Sequence, residues 1–86
     1  MSKKDPVVTR LNRIEGQIKG IKRMVQEEKF CGDILIQVSA VKSALNNLGG
    51  IVLENYMQDC LRGYLDGETT EEELDRLIQV MLQYTK

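Results

Sequence analysis

Residues 31–60, CGDILIQVSAVKSALNNLGGIVLENYMQDC, carry one apolar run with helical spacing. Ile34, Val38, Val41, Leu45, Leu48 and Val52 recur in alternating steps of four and three, and the run continues through Tyr56 toward Cys60. That is a heptad seam, and it predicts one long helix over about residues 32–62. Gly49-Gly50 inside the run costs up to about 1 kcal/mol per residue in helix propensity, which implies a close backbone approach or a bend there. Arg62-Gly63 supplies a stop signal. With no strand-like alternation in the chain, the fold class is all-α.

Two shorter helices flank this one. Asp5-Pro6 reads as a helix start, an acceptor side chain followed by a proline at a position where no donor is missed. Val7, Leu11, Ile14, Ile18, Ile21 and Val25 then repeat the same four-three spacing, giving a first helix over about 6–28. Thr70-Glu71-Glu72-Glu73 has the spacing of a capping box, and its acidic first turn suits the helix dipole. Leu74, Leu77, Ile78 and Met81 supply an apolar stripe for a third helix over about 71–84. The 86 residues make one domain, small enough that a lone core is marginal and self-association is the usual remedy.

Cys31 and Cys60 are the only cysteines, and the chain has no histidine. At ~1.5 Å rise per residue a continuous helix holds them roughly 43 Å apart, far beyond the ~7 Å over which a bridge can form. An antiparallel partner helix instead places Cys31 of one subunit beside Cys60 of the other, twice per dimer. Paired positions then sum to about 91, so Val41 falls near Gly50, Val38 near Leu53 and Ile34 near Met57, apolar against apolar or small.

Cys31 opens the long helix, where free backbone N–H groups and the dipole favour negative charge on sulfur, so it is the expected attacking thiol. Cys60, near Asp59 at the other end, suits a resolving role. Thiolates also select Cu(I) or zinc. Without histidine, a closed tetrahedral zinc site needs more donors than one cysteine pair offers, whereas two-coordinate copper remains open. Met1, Met24, Met57 and Met81 are soft donors in principle; only Met57, three residues before Cys60, is a candidate remote ligand. Tyr56, one turn before Cys60, points to the same site. A third possibility is a helical assembly module in which both cysteines merely pack.

Charge is uneven. Through Gly50 there are nine Lys and Arg against five Asp and Glu, and from Ile51 onward three against eight. The N-terminal half therefore suits a polyanion partner. Nucleotide-binding glycine motifs and catalytic triads are absent. Gly16, Gly20, Gly49 and Gly50 fall inside helical patterns, and Glu27-Glu28 and Glu71-Glu72-Glu73 read as solvated helix ends. These features argue against an enzyme, and no cofactor is expected. The first residues have no apolar leader and no stretch approaches a membrane span, so a cytoplasmic protein is expected.

The segment Arg10-Leu11-Asn12-Arg13-Ile14-Glu15-Gly16-Gln17-Ile18-Lys19-Gly20-Ile21, then Met24, then Cys31-Gly32-Asp33-Ile34-Leu35-Ile36-Gln37-Val38-Ser39-Ala40, closely resembles the CsoR/RcnR family of transcriptional repressors. The resemblance implies a three-helix subunit, an antiparallel four-helix-bundle dimer, a tetramer of two dimers, and operator DNA released when an inducer engages cysteines across the subunit interface. Copper sensors of the family use a cysteine, a histidine and a second cysteine. Cys31 and Cys60 match the cysteines, but Tyr56 stands at the histidine position. Phe30 replaces a tyrosine of the surrounding network, and Glu73 matches its glutamate. The chain thus looks more like the CstR branch, whose two thiols respond to reactive sulfur species such as persulfides and polysulfides. Arg10 matches a family DNA-binding arginine, followed as candidates by Arg13, Lys19, Lys22 and Lys42.

Overall fold

The computed structural model describes residues 4–85, and Met1, considered above as a soft donor, lies outside them. Three helices follow in order: α1 (Lys4–Gln26), α2 (Cys31–Leu65) and α3 (Glu71–Tyr84), with no strand among the described residues. No helix among them is long and apolar enough to cross a membrane. Two compact units meet within α2, one running through Gly50 and the other from Ile51.

In the first unit α1 and the leading part of α2 form a helical hairpin. Its buried side chains are Ile14 and Val41. The apolar seam expected on each helix resolves into two rows. Val7, Ile14 and Ile21 on α1, and Ile34, Val41 and Leu48 on α2, are buried or half-buried. The alternating residues Leu11, Ile18 and Val25, and Val38, Leu45 and Val52, are all exposed, at 37–57% of their full surface. Each helix thus spends one heptad position inside the chain and leaves the other uncovered. An aliphatic side chain left half exposed has on the order of 1 kcal/mol of burial still to gain, so these rows favour self-association.

The helix ends depart from the sequence reading. Lys4 is already helical, so Asp5 lies within α1 rather than at its cap. Pro6 is still tolerated because first-turn N–H groups have no partner within the helix. The other end stops at Gln26 rather than near residue 28. Lys29 N donates to Met24 O at 2.9 Å and Glu28 N to Val25 O at 3.1 Å, the paired bonds of a Schellman stop. Glu28 occupies its left-handed position at φ 57°, where a side chain is disfavoured relative to glycine. Glu28→Gly is therefore expected to stabilise the protein by about 1 kcal/mol, read as a higher denaturant midpoint; a lower midpoint would contradict this cap.

α2 runs through Gly49-Gly50 and past Gly63. A Cβ on Gly50 would meet nothing within 4 Å, so at Gly50 the anticipated close approach is not made among the described residues. The stop comes at Asp66-Gly67 instead. Gly67 has φ +77°, Glu68 N donates to Gly63 O at 2.7 Å and Gly67 N to Tyr64 O at 3.1 Å, a second Schellman ending. Gly63 serves another purpose. A Cβ there would collide with the Thr69 hydroxyl, so its bare backbone admits the returning loop. Thr70 then caps α3, its side chain accepting from Glu73 N at 3.2 Å. Leu77 is the buried residue of this second unit.

Candidate sensing site and nucleic-acid face

Cys31 is the first residue of α2 and is exposed as a free thiol. The Phe30 carbonyl accepts from Asp33 N at 3.0 Å and Ile34 N at 3.2 Å, so helical bonding starts at Phe30. The N–H groups of Cys31 and Gly32 precede any intrahelical acceptor and face the helix end beside the sulfur. This is a place where negative charge is favoured. The Phe30 ring lies 2.5 Å from where a Cβ on Gly32 would stand, so glycine there lets Phe30 fold over the first turn while staying 73% exposed.

Cys60 belongs to the second unit, is half-buried and is likewise a free thiol. The Gly67 turn, the Gly63–Thr69 approach and the Thr70 cap return the chain so that α3 lies along the last turns of α2. Tyr56 and Cys60, one turn apart on α2, thereby join Glu73, Arg76 and Val80 of α3 around a cavity of about 470 Å³. Tyr56 and Glu73 were expected near this cysteine. Arg76 was not, because only the return of α3 carries it there. Met57 does not line the cavity. Among the described residues, no three His, Cys, Asp or Glu side chains of the chain converge as a metal site would require.

All five candidate DNA-contacting cations, Arg10, Arg13, Lys19, Lys22 and Lys42, are exposed. None makes a salt bridge with a described residue. Arg10 and Arg13 line an open depression with Asp5, Pro6 and Thr9 at the start of α1. At ~100° per residue, Lys19 and Lys22 are centred about 180° round α1 from that pair, so the charge forms two patches rather than one stripe.

The family model described as "Metal-sensitive transcriptional repressor" matches residues 3–83. The chain belongs to this CsoR/RcnR family. It is 37% identical over 83 residues to the copper-sensing transcriptional repressor CsoR of Bacillus subtilis (strain 168), a match spanning 96% of this chain and 82% of that protein. The Cu(I)-bound copper-sensing repressor CsoR of Geobacillus thermodenitrificans NG80-2 has a TM-score of 0.84 to it at 36% identity, over 95% of this chain and 85% of the other. The nickel-responsive transcriptional regulator InrS gives a TM-score of 0.80 at 38% identity, over 93% of this chain and 90% of that one. This member of the CsoR/RcnR family is thus a transcriptional repressor and not an enzyme. Membership implies operator DNA as a partner and self-association.

Proposed function

We propose that this repressor senses reactive sulfur species through a Cys31–Cys60 dithiol formed across two subunits, and that its modification releases operator DNA. The observation that carries the reading is the donor set: two free thiols, a tyrosine at the position where the family's copper sensors use an imidazole, and no histidine in the chain. A phenol is a hard oxygen donor and a poor substitute in a Cu(I) shell. The residues therefore do not fit a three-coordinate copper site, and they do fit thiol–disulfide chemistry.

The uncovered row of α2 supports the antiparallel arrangement. Val38, Leu45 and Val52 then meet their counterparts across the two-fold axis, while Val41, buried within its own chain, does not take part. Two such dimers make the tetramer. The Cys31 thiolate attacks the sulfane sulfur of a hydropersulfide R–S–SH; that S–S bond breaks, RS⁻ leaves, and Cys31 carries –S–SH. Cys60 of the partner subunit then attacks the Cys31 sulfur, hydrosulfide departs, and a disulfide closes. Two thiols are oxidised and one sulfane sulfur is reduced to sulfide. The bridge ties opposite helix ends of two chains and biases the dimer toward a packing that misplaces the basic patches.

A second reading, Cu(I) held by the two thiolates alone, is favoured by the copper-sensing relatives. Tetrasulfide and Cu(I) separate the two readings. Tetrasulfide is expected to crosslink wild-type subunits on a non-reducing gel and weaken operator binding, while Cu(I) is lost to a strong chelator without releasing DNA. Unchanged DNA affinity after crosslinking would reject the sulfur switch. Tyr56→His restores the missing donor and should raise Cu(I) affinity more than about tenfold, or ~1.4 kcal/mol, measured by the same chelator competition.

A further inference from the structure

The Cys60 cavity holds one cation that the chemistry above does not use. Arg76 lines it with Tyr56 and Val80, and among the described residues no carboxylate lies in salt-bridge contact with its guanidinium. The one acid in the lining, Glu73, sits in the first turn of α3, where the positive end of that helix offsets its charge. A guanidinium stays protonated at all physiological pH and binds anions through charge-assisted hydrogen bonds. Such a group beside a thiolate repels an incoming metal cation and attracts an anionic sulfur chain.

We infer that Arg76 determines the inducer class at this site: it draws the anionic end of a persulfide or polysulfide to Cys60 and pairs with the hydrosulfide that leaves. The inference rests on the proposed sulfur sensing and adds a residue to it. With tetrasulfide, HS–S₃⁻ gives its terminal sulfur to the Cys31 thiolate, S₃²⁻ departs, and Cys31 carries –S–SH. That end enters the Cys60 cavity of the partner subunit. Cys60 attacks the Cys31 sulfur, the S–SH bond breaks, and HS⁻ leaves beside the Arg76 guanidinium. Arg76 is a positioning residue, since it forms no bond to the reacting sulfurs, and Tyr56 offers the leaving group a hydroxyl donor.

Charge and packing roles are separated by comparing tetrasulfide with 4,4′-dithiodipyridine, a neutral disulfide whose expelled pyridinethiolate delocalises its charge into the ring and takes a proton from water to become the uncharged thiopyridone. Crosslinking rates are measured on the full-length protein by quenched non-reducing gels. Arg76→Gln is expected to slow tetrasulfide crosslinking about tenfold, the lower range for loss of electrostatic focusing in a cleft, and to leave dithiodipyridine crosslinking unchanged. Arg76→Lys retains most of the wild-type rate, and Glu73→Gln, which removes the opposing charge, raises the tetrasulfide rate alone. Added salt slows the wild type with tetrasulfide and has little effect on Arg76→Gln. Equal slowing with both reagents would make Arg76 a packing residue and overturn the inference, as would no slowing with either. A wild type that tetrasulfide never crosslinks would instead overturn the sulfur-sensing reading itself, and the role of Arg76 with it.

Discussion

After a tetrasulfide challenge that drives the wild type from its operator, the Cys31→Ala repressor stays bound. Its affinity before and after treatment should agree, whereas wild-type affinity falls by about 5- to 150-fold, the range of ordinary allosteric coupling. Cys31 is the exposed thiol at a helix start with free N–H groups beside it, so removing it removes the first covalent step. Cys60→Ala should behave differently. Cys31 still gains a sulfur, detectable by mass, but no crosslink forms and release is incomplete. Equivalent behaviour of the two variants, with neither taking up sulfur, would contradict the division of labour between attacking and resolving thiols.

The double reversal Arg10→Glu, Arg13→Glu should abolish operator binding at moderate salt, a loss of more than about 100-fold, because phosphate contacts dominate affinity. Each lost contact also lowers the slope of log affinity against log salt by about one unit. Both side chains are exposed and free of salt bridges with described residues, so helicity by circular dichroism and oligomeric state should not change. Reversing Lys19 and Lys22, on the other side of α1, ranks the second patch. DNA affinity that survives the Arg10 and Arg13 reversal would remove this face from the interface.

The periodicity of Val7 to Val25 and of Ile34 to Val52 was enough to place α1 and α2, and Thr70 to Glu73 was enough to start α3 at Glu71. These are local signals, and local energetics satisfied them. What periodicity alone could not say is which heptad row faces inward, since both rows are equally apolar and only packing chooses Ile14 over Leu11 or Ile18. The helix ends were harder for the same reason. Glu28 takes the left-handed stop without being glycine, and Gly63 looks like a stop while serving to admit Thr69. At the candidate site, Cys31, Cys60 and Tyr56 were legible from chemistry and spacing, and Glu73 only through the family resemblance. Arg76 was not, because its approach to Cys60 depends on a turn set by Gly67 and Gly63 rather than on any motif around Arg76 itself.

The pairing of sulfurs between chains is tested most directly by disulfide mapping in mixed assemblies. Cys31→Ala and Cys60→Ala subunits, distinguished by isotope label, are unfolded together, refolded, treated with tetrasulfide and digested without reductant. Neither variant alone can form a Cys31–Cys60 bond, but a mixed dimer retains one complementary pair. The account predicts a single crosslinked peptide joining Cys31 from the Cys60→Ala subunit to Cys60 from the Cys31→Ala subunit. Bonds joining Cys31 to Cys31 or Cys60 to Cys60, with no mixed peptide, would contradict it.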